Sequence, residues 1–266
     1  MDEHLEANRA LWDHLTPIHA AAQVYDVPVF KAGKSTLDPL DVEEVGDVRG
    51  KRLLHLQCHF GLDTMSWARR GASVTGADFS PESIALAKSL AAELGLDARF
   101  VCSNVYDLPT SLEGEFDLVY TSGGVLAWLP DLEPWGQVIA NFLARGGTFY
   151  IRDFHPAGYI FDDSPGATEP RVSLPYFRSP PLRFNGGGDY ASDARHSFTS
   201  YEWSHSLAEI VNALIGAGLR INFMHEFPFC TYRSHSFLTP DGEGRWRYAA
   251  KPDSLPLLFS LKATKE

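Results

Sequence analysis

The sequence is poor in cysteine and contains no long apolar run. It has three cysteines, Cys58, Cys102 and Cys230, and no two of them have the spacing of zinc ligands. Three scattered cysteines do not support a disulfide framework, so we expect three buried thiols. A run of about 18 apolar residues, the length of a membrane-spanning helix, is absent, so no membrane partner is expected.

Basic residues are also scarce. The 23 lysines and arginines face 34 aspartates and glutamates, which gives a formal net charge of −11. Nucleic-acid-binding proteins usually carry a basic face, so this balance argues against a nucleic-acid partner. The segment MDEHLEANRALWDHL is acidic and amphipathic, without the basic start and apolar core of a secretion signal. We therefore expect a cytoplasmic protein.

The chain has 266 residues, enough for one sizeable α/β domain. Residues 1–48 open with an amphipathic helix and then become irregular, which predicts an N-terminal helix and lid segment. Residues 49–266 form the main domain. Within it, about 156–200 is a Pro/Gly-rich stretch predicted to be an irregular insertion that shapes the substrate pocket.

Residues 49–155 alternate short apolar runs with helical patterns, which is typical of βαβ units and a mostly parallel sheet. The predicted strands are KRLLHL, ASVTGAD, ARFVCSN, FDLVYTS and TFYIRDF. The clearest helix is SPESIALAKSLAAELG, which Ser80 caps and Gly95 ends. A later helix, SLAEIVNALIGAG, and two strands, RINFMHEFPF and LPLLFSLKAT, complete an α/β fold.

Three motifs follow consecutive predicted strands: HLQCHFGLD at 55–63, GADFS at 76–80 and NVYDLP at 104–109. Together they resemble class I S-adenosylmethionine-dependent methyltransferases over about residues 50–155. The resemblance implies a three-layer Rossmann-like sandwich with a seven-stranded, mostly parallel sheet whose last strand is antiparallel. It also implies S-adenosylmethionine as the cofactor.

The first motif departs from the family pattern, in which an acidic residue and Leu precede Gly-Cys-Gly-x-Gly. His55 stands at the acidic position, Gln57 and His59 stand at the first two glycines, and only Gly61 is kept. Glycine permits a positive φ and a close approach of backbone to ligand. We therefore expect Gln57 and His59 to adopt angles that a side chain tolerates, in a wider loop.

The resemblance assigns the cofactor to residues at the ends of the strands. The turn contributes Gln57, His59 and Gly61 and leads into a helix N-terminus, which favours the methionine carboxylate. A carboxylate at Asp78 is suited to accept hydrogen bonds from the ribose hydroxyls. The remaining predicted contacts are Phe79 beside it, Asn104 and the Val105 amide at the adenine, and Thr121 below the methionine part.

His155 is the first candidate for a general base, because it follows the fifth strand at the carboxyl edge where ligands bind in open α/β sheets. His205 is a weaker candidate, since a Ser206 cap explains its neighbourhood. Tyr25, in the lid segment, and Trp128, after the fourth strand, are predicted to line the substrate site. Trp12 is expected in the core.

The predicted reaction is methyl transfer to O, N or C of a small metabolite, with no metal, because the adjacent Asp162 and Asp163 do not make a magnesium site. Aromatic residues of the insertion suit an apolar or aromatic substrate. They equally suit loop anchoring or a subunit contact, which leaves a homo-oligomer open. Two alternatives remain: a nicotinamide-dependent oxidoreductase, although G-x-G-x-x-G is missing, and a non-catalytic scaffold that retains the fold.

Overall fold

The computed structural model describes residues 2–192 and 195–266. Nine α-helices occur in this part of the chain: α1 Glu3–Ala21, α2 Val27–Lys31, α3 Pro39–Val45, α4 Leu62–Arg69, α5 Pro81–Leu94, α6 Leu108–Ser111, α7 Leu132–Phe142, α8 Pro156–Tyr159 and α9 Leu207–Gly216. The strands are β1 Arg52–Leu56, β2 Ser73–Asp78, β3 Ala98–Cys102, β4 Phe116–Thr121, β5 Leu143–Phe154, β6 Leu182–Gly188, β7 Arg195–Glu202, β8 Leu219–Phe227, β9 Thr239–Pro240, β10 Trp246–Arg247 and β11 Leu258–Lys265.

Seven strands form one sheet in the order β3-β2-β1-β4-β5-β11-β8. The pairs β2–β3, β1–β2, β1–β4 and β4–β5 are parallel, whereas β11 runs antiparallel to both β5 and β8. This arrangement confirms the predicted seven-stranded, mostly parallel sheet with an antiparallel last strand. The carboxyl ends of β1 to β4 therefore meet along one edge.

Local capping signals explain why the central helices begin and end where they do. In α5 the Ser80 hydroxyl accepts a hydrogen bond from the amide of Ser83 at 3.0 Å, and Pro81 occupies the first turn. Gly95 ends the helix in the left-handed region, at φ +62°. The helix thus keeps the length that the sequence predicts.

Helices cover both faces of the sheet and give it three layers. One face buries a cluster that includes Val45 of α3, Trp67 of α4 and Tyr150 of β5. The opposite face buries a larger cluster that includes Trp135 of α7 and Leu214 of α9. Burial of large apolar side chains on both faces supplies the main driving force for this fold.

One buried ion pair ties α3 to the centre of the sheet. Both carboxylate oxygens of Asp41 accept hydrogen bonds from the Arg152 guanidinium, at 2.6 and 3.0 Å. The hydroxyls of Tyr120 and Tyr150 also donate to Asp41, at 3.0 and 3.1 Å. The Asp41 carboxylate is fully buried, so these four donors replace the water that it would otherwise contact.

The segment predicted as an irregular insertion instead contains an antiparallel hairpin. Strands β6 and β7 pair through Leu182–Glu202 and Phe184–Ser200, with a bulge near Gly187. Helix α1 packs against β7, where the Asn8 side-chain amide donates to the Tyr201 carbonyl at 2.7 Å. The Tyr201 amide in turn donates to Asn8 at 2.8 Å. The lid segment and the insertion are therefore joined.

Two features concern surface and thiols. Across residues 2–192 and 195–266, no helix combines the length and the apolar character needed to span a membrane. Cys58 and Cys230 are buried as expected, but Cys102 is exposed. The prediction of three buried thiols is therefore wrong at Cys102, because it lies at the end of the edge strand β3.

The Asp41–Arg152 pair generates a stability prediction. Asp41→Asn removes the negative partner and leaves the buried guanidinium without a counter-charge, so we expect a loss of about 3–5 kcal/mol in the free energy of unfolding. Chemical denaturation followed by circular dichroism measures this loss. In the control, Asp47→Asn, the partner Arg49 is exposed and no measurable change is expected. Equal stabilities of the two variants would contradict the assigned role of Asp41.

Candidate functional site

The carboxyl edge of the sheet brings together side chains that are far apart in the sequence. Leu56, the last residue of β1, pairs with Ala77 on one side and with Thr121 on the other. Asp78 pairs with Cys102 at the end of β3, two residues before Asn104. The structure therefore assembles Gln57, Asp78, Asn104 and Thr121 along one edge of the sheet.

The bend between β1 and α4 keeps a glycine-like backbone without its first two glycines. Gln57 and His59 lie at φ +55° and +50°, and Gly61 lies at φ +78°. Both non-glycine residues thus take the left-handed backbone that glycine adopts most readily. A Cβ at Gly61 would lie 2.5 Å from the Phe100 ring, which explains why glycine is retained there. A positive φ at two residues with long side chains is uncommon and costs energy. The contacts of these two side chains must offset that cost.

Asp78 stands at the centre of this edge. Its carboxylate is buried and accepts hydrogen bonds from the backbone amides of His59 at 2.8 Å and Ser80 at 2.9 Å. Burial raises the pKa of Asp78 to about 6, although these amide donors oppose the shift. Each carboxylate oxygen has a second acceptor site, so Asp78 can also bind two hydroxyl groups.

The His59 ring connects the bend to the lid segment and the insertion. Its Nε2 lies 3.0 Å from His19 Nδ1, and His19 Nε2 lies 2.9 Å from a carboxylate oxygen of Asp189. His59 Nδ1 lies 2.9 Å from the Ser83 hydroxyl of α5. Burial lowers the pKa of both histidines. With His19 neutral, its Nε2 donates to Asp189 and its Nδ1 accepts from His59.

Aromatic rings of α1 and of the segment after it cover the bend. The Trp12 ring lies 5.2 Å from the His59 ring and 5.3 Å from the Trp128 ring, between ring centroids. Trp12 is only partly buried, so it borders the crevice rather than the core. Tyr25 stacks on His19 at 5.2 Å and shares a hydrogen bond with the Tyr190 hydroxyl of the insertion. Of the two predicted substrate residues, Tyr25 belongs to this cover and Trp128 packs against it through Trp12.

The predicted adenine end has a polar and an apolar component. Asn104 precedes a short 3-10 helix, Val105–Asp107, and its side-chain oxygen accepts from the Tyr106 amide at 3.1 Å. That oxygen retains a second acceptor site for an amino group. Val105 is buried and Phe79 is partly buried, beside Asp78. This arrangement suits a flat base with an exocyclic amine.

Two buried polar atoms at the edge have no partner. Gln57 Oε1 and Thr121 Oγ1 are both buried without a hydrogen bond to any residue in the described ranges. The Gln57 amide nitrogen donates to the Val125 carbonyl at 3.3 Å, which fixes the side chain in the crevice. An unsatisfied buried polar atom is costly, so these two atoms fit a polar ligand such as S-adenosylmethionine.

Asp153 holds the loop after β4, a role that the sequence analysis missed. Its buried carboxylate accepts hydrogen bonds from the amides of Gly124, Val125 and Leu126, at 2.5, 3.2 and 3.2 Å. These contacts fix the loop that carries Trp128. The available signal for this role was Asp153 itself, an acidic residue near the carboxyl end of the predicted strand TFYIRDF.

An aromatic cavity with a volume of about 40 Å³ lies beside this loop. Its lining comes from the loop after β4, the end of β5, α8, the insertion, the segment after β7 and α9, and includes Leu126, Phe154, Tyr159, Tyr176, Trp203 and Ile210. We call it the acceptor cavity. Its aromatic and aliphatic lining is typical of sites for small, largely apolar molecules.

His155, the predicted base, does not lie with the other predicted residues. It caps α8, where its Nδ1 accepts a hydrogen bond from the Ala157 amide at 3.0 Å. Its Nε2 lies 2.8 Å from a carboxylate oxygen of Glu226 in β8. The ring therefore faces the β11–β8 side of the sheet, whereas the predicted cofactor residues lie at β1 to β4. Whether His155 acts as a base stays a prediction.

Comparisons with known proteins agree with this geometry. Residues 53–147 match the sequence family described as "Methyltransferase domain". The chain is 27% identical over 194 residues to a ubiquinone biosynthesis O-methyltransferase of Escherichia coli O7:K1, with 68% of this chain and 77% of that protein covered.

Solved structures show the same fold. An S-adenosylmethionine-dependent methyltransferase from Mesorhizobium loti superposes with a TM-score of 0.57 at 21% identity, covering 88% of this chain and all of that one (100%). One from Clostridium acetobutylicum ATCC 824 superposes with a TM-score of 0.59 at 15% identity, covering 97% and 98%. Neither the nicotinamide-dependent oxidoreductase nor the non-catalytic scaffold finds support among these relatives.

Asp78 yields a prediction about cofactor binding. Asp78→Ala removes a charged acceptor, so we expect binding of S-adenosylhomocysteine to weaken by about 1.5–3 kcal/mol, roughly 10- to 150-fold in Kd. Isothermal titration calorimetry measures this, with Asp97→Ala on the exposed turn after α5 as the control. Unchanged affinity in Asp78→Ala would mean that the ribose is held elsewhere.

The raised pKa of Asp78 predicts a pH dependence of the same binding. Hydroxyl donors favour the ionised carboxylate, so affinity is highest above the pKa of about 6 and falls as protonation competes below it. We expect roughly tenfold weaker binding at about pH 5 than at about pH 8. The dependence should vanish in Asp78→Ala. A dependence that survives in this variant would assign the titration to another group.

Proposed function

We propose that the chain transfers a methyl group from S-adenosylmethionine to an O, N or C atom of a small aromatic metabolite. The observation that carries this proposal is the acceptor cavity, whose lining includes Leu126 and Ala127 of the loop that Gln57 contacts at the Val125 carbonyl. The name of the Escherichia coli relative favours an oxygen acceptor. The predicted cofactor residues, Gln57, His59, Gly61, Asp78, Phe79, Asn104, Val105 and Thr121, form the proposed cofactor site.

S-adenosylmethionine supplies an activated methyl group on a positively charged sulfur. The protein's own residues bind, orient and exclude water. Asp78 holds the ribose, and Gln57 and Thr121 offer their unpartnered oxygens to the amino-acid part. The loop fixed by Asp153 contributes Leu126 and Ala127 to the acceptor cavity and carries Trp128, whose ring packs on Trp12. Holding an acceptor in line supplies much of the roughly 7–11 kcal/mol available from positioning.

Residues 1–48 and the insertion at about 156–200 form one cover in this proposal. The supporting contacts are Asn8 with Tyr201, Tyr25 with Tyr190, and His19 with Asp189. The His19–His59 contact links this cover to the bend itself. A cover attached at the bend excludes water from the reacting atoms once the ligands are bound, which such reactions require.

The direct test is methyl transfer from labelled S-adenosylmethionine to a panel of small phenols, anilines and indoles. We expect product with at least one aromatic hydroxyl or amine acceptor, and calorimetric binding of S-adenosylhomocysteine but not of nicotinamide dinucleotides. Dinucleotide binding without S-adenosylhomocysteine binding would overturn the proposal.

The contacts of His155 generate a prediction that separates a cap from a base. Asparagine also accepts the amide hydrogen bond of a helix N-cap, so we expect His155→Asn to keep both turnover and stability. His155→Ala should lose about 1 kcal/mol of stability while the folded fraction stays active. Turnover and thermal unfolding measure the two effects. Loss of turnover in a fully folded His155→Asn would establish His155 as the base.

A further inference from the structure

The acceptor cavity contains one carboxylate, that of Glu202 at the end of β7. Most other lining groups are aromatic or aliphatic, and His205 is the second titratable group besides tyrosines. The backbone of Glu202 pairs with β6, but its carboxylate forms no hydrogen bond or ion pair with another residue within 2–192 and 195–266. A partly buried carboxylate without a partner is costly in an apolar setting, so its presence there needs a functional explanation.

The cavity borders the loop that follows β4. The Phe154 ring, one of its walls, would lie 3.6 Å from a Cβ at Gly124 and 3.9 Å from one at Gly123. These glycines follow β4 within three residues of Thr121. The amide of Trp203, next to Glu202, donates to the Ala127 carbonyl at 2.8 Å, which fixes the end of β7 on this loop.

The surroundings of Glu202 bring its pKa close to neutral pH, where the protonated and ionised forms are both populated. Burial, with a smaller effect from Asp163, raises the pKa of Glu202 to about 7. Tyr159 of α8 and Tyr232, after β8, are close enough to interact electrostatically with Glu202. Both have raised pKa values, mainly because they are buried. Neither tyrosine is therefore ionised near neutral pH. A carboxylate with such a pKa can both accept and release a proton near neutral pH.

His205 is the competing base. Its Nε2 lies 2.7 Å from the Leu129 carbonyl, which can only accept, so Nε2 carries the proton and Nδ1 keeps the lone pair. Burial lowers the pKa of His205, which makes this nitrogen a weaker proton acceptor than the Glu202 carboxylate. The same ring also lines a groove on the outer surface together with Asp131 and Arg178.

Building on the proposed function, we propose that Glu202 binds the hydroxyl group of a neutral phenol in the acceptor cavity and removes its proton. The O–H bond breaks, its electron pair stays on the oxygen, and the proton passes to a carboxylate oxygen of Glu202. The oxygen's pair then bonds the methyl carbon as the C–S pair returns to sulfur. A protonated amine would pair with Glu202 but has no lone pair to react, so the carboxylate favours a hydroxyl.

Binding without any cofactor tests this assignment. We use 2-naphthol as the probe and 2-methoxynaphthalene, which lacks the hydroxyl, as its matched control. At about pH 8 the wild-type chain should prefer 2-naphthol by about tenfold in Kd, because a hydrogen bond to a charged acceptor is strong. The preference should decline as the pH is lowered through about 7. The reason is that the ionised carboxylate binds the hydroxyl more tightly than the protonated form does, and Glu202 becomes protonated in this range.

Glu202→Gln should abolish both the preference and its pH dependence, whereas Glu169→Gln, an exposed position in the insertion, should keep both. A folded Glu202→Gln that retains them overturns the proposal. If this variant does not fold, carbon-13 NMR of the wild-type glutamate carboxyls decides. The titration midpoint of Glu202 should fall when 2-naphthol is added, and an unchanged midpoint overturns the proposal.

The same samples separate this proposal from the proposed function. S-adenosylhomocysteine titrated into the wild type tests cofactor binding independently of Glu202. No binding there would overturn the proposed function, while the 2-naphthol results would still decide the role of Glu202. With cofactor and phenol present, the wild-type rate should rise with pH through about 7, and Glu202→Gln should lose that rise.

Discussion

The hydrogen bond from the His59 amide to the Asp78 carboxylate holds the bend after β1 against the end of β2. His59 makes this contact with a left-handed backbone, a conformation that glycine adopts more readily than residues with a side chain. The His59 side chain, which glycine would lack, contacts His19 and Ser83. One residue therefore sets the shape of the ligand edge, the charge environment of Asp78 and the attachment of the lid segment.

Three carboxylates, two buried and one partly buried, differ in the number of their partners. Asp153 is satisfied by backbone amides and fixes a loop. Asp78 is satisfied on one side by amides and leaves acceptor sites for hydroxyls. Glu202 has no partner among the described residues and faces the acceptor cavity. The decreasing number of internal partners matches a progression from structure, to ligand binding, to the proposed proton transfer.

Much of the fold could be predicted from the sequence because its signals are local. Ser80 and Gly95 bound α5, and apolar runs alternate with helices from β1 to β5. The β6–β7 hairpin was missed because Gly186, Gly187 and Gly188 give the end of β6 the composition of a loop. Its pairing with α1 joins residues about 190 positions apart, which no local pattern records.

The candidate site shows the same division. Strand ends located Asp78, Asn104 and Thr121, because parallel strands place their carboxyl ends together. Strand position also suggested His155, but the direction of its ring depends on the Ala157 amide and on Glu226, which a distant strand supplies. No sequence motif could identify Glu202, because the β6–β7 hairpin, which was not predicted, brings it to the cavity.

The central claim is that Asp78 and the His59 bend bind the sugar of S-adenosylmethionine. A crystal structure with S-adenosylhomocysteine tests it most directly. We expect both ribose hydroxyls to lie within hydrogen-bond distance of the Asp78 carboxylate, about 2.6–3.2 Å. We also expect the backbone of Gln57 and His59 to remain left-handed. A nucleoside bound elsewhere, or a crevice filled by the side chains of α1 with Asp78 touching protein alone, would contradict it.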